Sequence, residues 1–481
     1  MPRAVMPASR REFLRSSAAF AAGFAGLRMA IHPSLARAAA TRGAVGFGDL
    51  VADPKGLLDL PAGFSYRVVS RTGDVMDDGL LVSGAPDGMA TFAGPEGLTI
   101  LVRNHETKPG DDGPFGANYE RLDKSLLSRF YDDGAGRTPG VGGTSTVVYD
   151  TKNQRVVRQF QSLAGTERNC AGGPTPWGSW VTCEETVDKP GFLLDTEDTF
   201  TVAKEHGYCF EVPATADAKL ADPIPLVAMG RMRHEAIAVD PRSGAVYETE
   251  DIDESGVYRF LPDQPGKDGQ PGKLVAGGKL QALKVRGNQA LDTRNWESHD
   301  VSVGDRFEVE WVDLDHPEAP DDDLRKRAFA KGAARFARGE GMWHVGDDTS
   351  GSIYFACTSG GVKRIGQIWK YTPSSVEGQS GEKTEPGVLE LFLEPNDSRL
   401  IQNADNLTAA PWGDLVVCED RQEDVVRLVG VTPAGECYTL AHNHVKGEFA
   451  GVTFSPDGST LFVNLQTAGM TLAITGAWPK L

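Results

Sequence analysis

The chain has 481 residues, of which 40% are hydrophobic and 24% are charged, a composition typical of a globular protein with a sizeable core. Its formal net charge of −18 opposes binding to nucleic acid, and an anionic substrate would need a metal or converging Arg and Lys side chains. The 56 Gly and 29 Pro residues follow no short period, which indicates many turns and few long helices.

The first 38 residues have the three parts of a twin-arginine signal peptide. The sequence SRREFL at 9–14 supplies the arginines, an apolar run follows at 18–27, and ARA at 36–38 fits a cleavage site. The apolar run is too short to span a bilayer. We therefore predict a signal peptide over 1–38, passage through the twin-arginine translocase, a periplasmic or extracellular location, and no stable membrane insertion.

The six cysteines lie far apart, and no two form a CxxC pair. Disulfides are common in exported proteins, but a chain of this length does not need them. A protein that folds before export would also have to form them afterwards. We expect few disulfides or none.

A β-hairpin pattern recurs along the rest of the chain. Each copy has two apolar runs around a turn rich in Gly, Pro, Asp or Trp, with polar or charged residues at its ends. The copy RMRHEAIAVDPRSGAVYETED at 231–251 is the clearest. The others occupy 89–106, 168–186, 338–361, 404–420 and 446–466.

Two registers recur among these copies. In three copies a carboxylate lies six residues after the turn glycine, and these are Glu184, Glu250 and Glu419. In four copies a cation stands two residues before a potential metal ligand, and side chains with that spacing on a strand share one face. These pairs are Arg168/Cys170, Arg233/Glu235, Arg338/Glu340 and Lys446/Glu448.

Six hairpins separated by inserts of variable length predict an all-β, six-bladed β-propeller over residues 39–481. The innermost strands of a propeller line a central channel, so the charged strand ends would converge on one axis. Loops and short helices would fill the inserts. The longest insert is 262–333, and the overlapping run DDDLRKRAFAKGAARFA indicates a short helix. A two-sheet sandwich or a pair of β domains is the alternative architecture.

Several carboxylates and one thiol that converge on a channel predict a metal site. Carboxylate oxygens suit Ca²⁺, whereas a thiolate among carboxylates indicates a transition metal such as iron. The same residues could also have purely structural roles. The Arg-x-Glu pairs could be ion pairs that close each blade, Cys170 could be a buried inert thiol, and single carboxylates could be solvated strand ends.

His105 and His234 each stand beside a Glu, and neighbouring residues of a strand face opposite sides. We therefore predict that these histidines pack within the blades or support ligands, while the glutamates face the channel. The sequence contains no HExxH, GxSxG or Walker motif, so a serine-hydrolase or nucleotide-binding mechanism has no support.

Six segments carry a specific resemblance: GRMRHEA, RNCAGG, ARGEGMW, QIWKY, ADNLTAAPWGDLVVCED and GEFAGVTFSPDGSTLFVN. They resemble the PhoX family of exported alkaline phosphatases, and the similarity runs from about residue 50 to the C-terminus. The resemblance implies a monomeric six-bladed propeller with a cluster of Ca²⁺ and Fe³⁺ ions in its channel. It also implies hydrolysis of phosphate monoesters for phosphate acquisition. The chain is shorter than many PhoX enzymes, which leaves its substrate range open.

The resemblance also implies roles for residues at the strand ends. The metal ligands would be Cys170, Glu235, Glu340 and Asp405. The cations that bind the phosphoryl group during in-line attack would be Arg338, Arg233 and Lys446. Weaker matches, which would face calcium or support other ligands, are Glu106, Glu184, Glu250 and Glu419.

Two other functions fit the sequence. A calcium-dependent lactonase or organophosphate esterase would use a six-bladed propeller with one catalytic calcium and no thiolate ligand. A non-catalytic propeller would use its metals for stability alone and would bind a partner or a cell-wall component.

Overall fold

The computed structural model describes residues 45–195, 198–267, 270–347, 349–423 and 425–479. Its main compact unit is Asp49–Leu481, and of the other unit, Met1–Gly48, only residues 45–48 are described. The predicted signal peptide therefore lies outside the described residues. Among the helices that the structure describes, none is long and apolar enough to cross a membrane.

The described chain consists mainly of β-strands and loops. Its one α-helix, α1, spans Leu324–Ala330, where the sequence predicts a short helix. Short 3-10 helices span Pro95–Gly97, Lys124–Arg129, Gly134–Gly136, Val227–Met229, Leu274–Ala276 and Ser380–Lys383.

The strands of the first half are β1 Leu50–Val51, β2 Leu58–Pro61, β3 Ser65–Arg71, β4 Pro86–Ala93, β5 Thr99–His105, β6 Gly143–Asp150, β7 Arg155–Ala164, β8 Asn169–Pro174, β9 Ser179–Glu184, β10 Gly191–Asp195, β11 Asp198–Val202, β12 Cys209–Pro213, β13 His234–Val239 and β14 Val246–Glu250. Those of the second half are β15 Val257–Pro262, β16 Gly278–Val285, β17 Arg306–Leu314, β18 Gly339–Gly346, β19 Gly351–Cys357, β20 Gln367–Thr372, β21 Val388–Leu393, β22 Ala404–Ala409, β23 Leu415–Glu419, β24 Val426–Val431, β25 Cys437–Asn443, β26 Phe449–Phe454, β27 Thr460–Leu465 and β28 Met470–Thr475.

Six strands form a ring at the centre of the fold. β4 contacts β8, β8 contacts β13, and the contacts continue through β18, β22 and β26 back to β4. From each of these ring strands an antiparallel sheet extends outward, as in β4-β5-β6-β7, β8-β9-β12 and β26-β27-β28-β3. The sheets of β13 and β18 merge into one of nine strands because β17 pairs with β21. The arrangement is all-β and propeller-like.

Strands from the start of the unit complete the last two sheets. β3 pairs with β28, with Tyr66 opposite Ile474, and β2 pairs with β25, with Leu58 opposite Asn443. The outer edge of β28 is thereby covered by a strand that is distant in sequence. Covered edges of this kind prevent pairing with other chains.

Hydrophobic side chains fill the spaces between consecutive sheets. Val181, Ile237 and Phe260 belong to the core between the sheets of β8 and β13. Leu101 and Phe462 belong to the core between the sheets of β4 and β26. Because both faces of these sheets are covered, even polar residues of the middle strands are buried, as in VYETE of β14.

All six hairpins predicted from the sequence are present. The turn glycines Gly178, Gly244 and Gly413 have φ angles of +86°, +74° and +93°, a left-handed backbone that favours glycine. The predicted insert over 262–333 proved to be more ordered than its composition indicated. It contains β16 and β17, which pair with Leu280 opposite Leu314 and extend the sheet of β13 outward.

Candidate metal centre

Five of the six ring strands carry a potential metal ligand at the same position. The potential ligand is the second residue of the strand and lies within a β-bulge that precedes the regular ladder. A bulge re-aims the side chains beside it, and bulges are frequent next to active sites. In β26 the corresponding bulge holds Gly451, which has no side chain. We call the five potential ligands the inner cluster: Asp87, Cys170, Glu235, Glu340 and Asp405.

The donor atoms of the inner cluster lie close together. One carboxylate oxygen from each of Glu235, Glu340 and Asp405 lies within 4.8 Å of the other two. Cys170 Sγ, Glu235 and Glu185 form a second group with the same spacing. Glu235 belongs to both groups, so it joins them into one continuous site.

A second set of acids surrounds the inner cluster. These acids directly follow the second strand of their sheets, which ends beside the start of the ring strand. Glu106 forms a ligand group with Asp87 and Cys170. Gln466 Nε2 donates to Asp87 Oδ2 at 2.7 Å and to Glu106 Oε2 at 2.9 Å. We call these acids the outer cluster: Glu106, Glu185, Asp251 and Asp420.

The two clusters place many acids where water is scarce. Glu235 is fully buried, and within the described chain neither of its carboxylate oxygens has a hydrogen-bond partner. Burial, together with the charges of Glu340 and Asp405, raises the pKa of Glu235 well above its usual value. Burial and neighbouring carboxylates also raise the pKa of Asp405 to about 8 and that of Glu185 to about 9.

These residues fit a group of metal ions. A buried carboxylate without a partner is costly unless a proton or a cation neutralises it, and Glu235 is in this situation. Burial, Asp87 and Glu235 raise the pKa of the Cys170 thiol well above its usual value, so a nearby cation would be needed to hold the thiolate. The donor set combines oxygens for hard cations with one sulfur for a transition metal.

Arg338 lies against both clusters. Its Nε and Nη2 donate to the two carboxylate oxygens of Asp251 at 2.8 and 2.9 Å, and Nη2 is 2.9 Å from Glu340 Oε1. Burial alone would lower the pKa of Arg338, but Glu340 and Asp251 raise it above its usual value. Its φ of +52° places a non-glycine residue in the left-handed region, a strain found at functional sites.

The other three cations of the sequence registers lie in different surroundings. Arg168 has a φ of +46° and its Nη2 is 3.4 Å from Glu106 Oε1, so it also borders the outer cluster. Arg233 Nη1 is 3.3 Å from Asp322 Oδ2. Lys446 is exposed. The structure therefore brings Arg338 and Arg168 to the acids, although the family resemblance implies no phosphate-binding role for Arg168.

Glu184, Glu250 and Glu419 lie outside both clusters. Each is the last residue of its second strand, is fully buried, and is held by other protein groups. Tyr258 Oη, for example, donates to Glu250 Oε2 at 2.7 Å, and Arg325 Nη1 is 3.2 Å from Glu250 Oε1. Glu184 likewise accepts from the backbone N–H of Gly207, and Glu419 from Nε of Arg427, so all three carboxylates have protein partners.

The hairpin register explains their position. His234 pairs directly with Glu250, and directly paired residues face the same side of a sheet. His234 is fully buried within the fold, as predicted, so Glu250 points inward with it. The following residue, Asp251, points the other way. In all three copies the predicted carboxylate is followed by a second acid, and the structure brings that second acid to the site.

Next to the inner cluster, neighbouring ring strands approach each other closely at glycine residues, and we call this part of the ring the waist. A cavity of about 20 Å³ is lined there by residues that follow the ligands, among them Gly88, Ala171 and Gly341. A Cβ atom on Gly341 would lie 2.6 Å from the Cα atom of Asn406 and 2.7 Å from the backbone oxygen of Asp405. Neighbouring ring strands can therefore approach this closely only where a side chain is missing.

We expect Gly341→Ala to lower the free energy of unfolding by about 1–3 kcal/mol, because the added methyl group meets rigid backbone. Urea denaturation of the purified protein measures the change. Gly191→Ala is the control, since the nearest atom to its Cβ would be Lys189 O at 3.8 Å. Equal stability of the two variants would contradict the close approach at the waist.

The fold and the site define a class of protein: an all-β, propeller-like protein with acids and one thiol gathered where its ring strands begin. The family model of the alkaline phosphatase PhoX matches residues 45–469. The chain belongs to the PhoX alkaline phosphatase family and is a phosphatase, which confirms the family resemblance seen in the sequence. Members of this family are metal-dependent, exported enzymes.

A solved structure of another protein has a similar fold. PhoX from Pseudomonas fluorescens, in complex with the transition-state analogue vanadate, has a TM-score of 0.64 at 18% identity, with 90% of this chain and 98% of that chain covered. A gluconolactonase from Xanthomonas campestris reaches only 0.36 at 13% identity, with 90% and 98% covered. A putative 6-phosphogluconolactonase from Bacteroides uniformis reaches 0.34 at 11% identity, with 78% and 76% covered. Scores this low support no argument. Among curated proteins, none matches the chain.

Proposed function

We propose that this phosphatase hydrolyses phosphate monoesters, for phosphate acquisition, with metal ions held by the inner cluster and assisted by the outer cluster. One observation carries the proposal. Glu235 is fully buried and its two carboxylate oxygens are unpartnered, yet Cys170, Glu340 and Asp405 bring further donor atoms to the same place. So many adjacent buried carboxylates destabilise a fold unless protons or cations neutralise them, and the combination of carboxylates with one thiol suits metal cations.

Calcium and ferric iron are the ions that the donor atoms suit best. Carboxylate oxygens predominate, which favours Ca²⁺, and the single sulfur of Cys170 favours iron. Bound metal ions would neutralise the phosphoryl oxygens, activate an oxygen nucleophile and stabilise the leaving oxygen. Glu106, which shares a ligand group with Cys170, stays in the proposed ligand set, whereas Glu184, Glu250 and Glu419 do not.

Arg338 is the residue we assign to the phosphoryl group. Asp251 occupies its Nε and Nη2, which fixes the plane of the guanidinium. Nη1 lies 3.8 Å from Asp420 Oδ2, beyond hydrogen-bond distance, so its two N–H groups can donate to a phosphoryl oxygen. Arg168 borders the acids from another sheet and would add a second cation.

The positions of Arg233 and Lys446 support smaller roles. Arg233 is engaged by Asp322, and Lys446 is exposed. We assign neither to direct contact with the reacting phosphorus. Their positive charges would attract an anionic ester to the channel at long range, although the net charge of the protein is strongly negative.

The remaining features of the proposal concern the whole chain. The ring of six strands, and the single β17–β21 junction inside the nine-stranded sheet, support six blades in one domain over 39–481. The SRREFL sequence supports export through the twin-arginine translocase to the periplasm or beyond. We further propose that the enzyme acts as a monomer, as the family resemblance implies.

We expect Arg338→Lys to lower kcat/KM for an aryl phosphate by about 100-fold, because lysine cannot hold Asp251 and the phosphoryl group at the same time. Steady-state kinetics with elemental analysis on the same sample measure the effect, and the metal content should not change. Arg294→Lys is the control, since Arg294 makes a similar fork with Asp292, at 2.8 and 2.6 Å, outside the clusters. An unchanged kcat/KM for Arg338→Lys would remove this arginine from the reaction.

The substrate class is tested by assaying the purified protein against an aryl phosphate, an aryl phosphodiester and an aliphatic lactone. The proposal predicts turnover of the monoester well above that of the other two. Lactone hydrolysis as the main activity would favour the calcium-dependent lactonase alternative. No turnover of any of them with calcium and iron supplied would favour a non-catalytic propeller.

A further inference from the structure

A second group of metal-ligating side chains lies in the core between the sheets of β8 and β13, separate from the channel. It contains two thiols, one imidazole and one carboxylate. The donor atoms of Cys209, His234 and Glu248 lie within 4.8 Å of one another, and Cys183 Sγ is 3.5 Å from Cys209 Sγ. All four residues are fully buried. The mechanism proposed above uses none of them.

The imidazole is oriented as a metal ligand would be. His234 Nε2 lies 3.0 Å from the backbone oxygen of Gly230, to which it donates its hydrogen. That hydrogen bond leaves Nδ1 with its lone pair directed into the group. Metal-binding histidines commonly donate their other ring N–H to a backbone carbonyl in this way.

The buried Glu248 carboxylate needs a neutralising partner close to it. Within the described residues, neither oxygen of Glu248 has a hydrogen-bond partner, and neither does His234 Nδ1. Nδ1 and Glu248 Oε2 are 3.3 Å apart, a contact between two acceptors in this tautomer. Two buried acceptors at that distance repel each other unless a proton or a metal ion lies between them.

We infer that Cys183, Cys209, His234 and Glu248 form a closed, structural zinc site between these two sheets. Two thiolates, one imidazole and one carboxylate are the ligand types of tetrahedral Zn²⁺, and four protein ligands leave no position open for chemistry. Two sulfurs on one tetrahedral zinc lie about 3.8 Å apart, given a Zn–S distance of about 2.3 Å. The observed 3.5 Å is close to that value and far from the length of a disulfide, about 2.05 Å.

The zinc site would also help to fix the positions of residues in the channel. His234 precedes Glu235 in the chain, and Cys183 stands two residues before Glu185. A zinc ion would thus connect β9, β12, β13 and β14. Three of these strands contain or directly precede a residue of the two clusters, namely Glu185 after β9, Glu235 in β13 and Asp251 after β14.

The test is the zinc content of full-length protein after dialysis against EDTA. The inference predicts about one zinc per chain in the wild type, and at least a tenfold loss in Cys209→Ser and in Glu248→Gln. Cys357→Ser is the control, since Cys357 is a buried thiol in a different core, and it should keep the zinc. Absence of zinc from the wild type, or zinc retained in both ligand variants, would overturn the site.

Two further measurements keep the test decisive if the variants fail to fold. In denaturant with chelator and no reductant, all six cysteines should react with a thiol reagent, and a Cys183–Cys209 disulfide would overturn the inference. Protein loaded with Co²⁺ should show thiolate-to-cobalt absorption that persists in Cys170→Ala, which lacks the sulfur of the channel. Loss of that absorption in Cys170→Ala would place the bound cobalt in the channel and contradict a second site.

Discussion

Replacing Glu235 by Gln is expected to lower the phosphatase kcat/KM by at least about 1000-fold, a loss of about 4 kcal/mol in transition-state stabilisation. Glu235 takes part in two of the ligand groups, one with Cys170 and the other with Glu340 and Asp405. A neutral amide would weaken metal binding in both groups at once. Steady-state kinetics with an aryl phosphate, together with elemental analysis of the same preparation, measure both consequences.

Glu250→Gln is a matched control, because Glu250 is also a fully buried glutamate of the same hairpin. It accepts a hydrogen bond from Tyr258 and pairs with Arg325, outside both clusters. The variant should lose about 1–3 kcal/mol of stability while the folded fraction keeps its metal and its kcat/KM. Equal loss of metal in the two variants would contradict the division between structural carboxylates and ligands.

Removal of the metal ions should make the stability of the fold strongly dependent on pH. The pKa of Asp405 is raised to about 8 and that of Glu185 to about 9, both mainly by burial, from ordinary values of 3.8 and 4.5. Between about pH 4 and pH 9 the metal-free fold therefore holds protons that the unfolded chain releases. Its free energy of unfolding should fall as the pH rises, by about 1.4 kcal/mol per pH unit for each retained proton.

Denaturation of chelator-treated protein at pH 5.5, 7 and 8.5 measures this dependence. Metal-loaded protein is the control, because bound cations replace the retained protons and stabilise the folded state. The stability of the metal-loaded protein should change less over the same pH range. Binding of metal ions to the metal-free protein should release protons into solution. A metal-free protein whose stability rises from pH 5.5 to 8.5 would show that the clustered acids are not held protonated in the fold.

The hairpins could be predicted from the sequence because each has its own turn and two apolar runs. Gly178, Gly244 and Gly413 mark three of these turns and adopt the backbone that the pattern requires. The outer strands β16 and β17 could not be predicted, because they contain polar residues and lie next to loops rich in Gly, Asp, Lys and Arg. Their strand structure is stabilised by pairing with β15 and β21, partners that no local pattern reveals.

Part of the site could also be predicted. Cys170, Glu235, Glu340 and Asp405 were named from their motifs, and the structure brings all four together. Asp87 is not predicted, because the hairpin pattern of the sequence begins at residue 89, directly after the bulge that contains Asp87. The apolar run alone gave no sign that the strand started earlier.

For the outer cluster, the sequence predicts acids that lie one residue before those that border the site, and the reason is a different one. The six-residue spacing from the turn glycine selects the last residue of each second strand, whose side chain points into the sheets. His234 is predicted to face away from the channel, and Glu250 faces the same way because the two residues are directly paired. Register between the two strands of a hairpin is therefore as informative as spacing within one strand.

The central claim is that the acids and Cys170 hold the metal ions on which phosphatase activity depends. Stepwise chelation, with calcium, iron and aryl-phosphate turnover measured on each sample, tests it most directly. Activity should fall in parallel with bound metal and return when metal is restored, and Cys170→Ala should lose iron and activity together. Full activity in metal-free protein, or full iron content and full activity in Cys170→Ala, would contradict the claim.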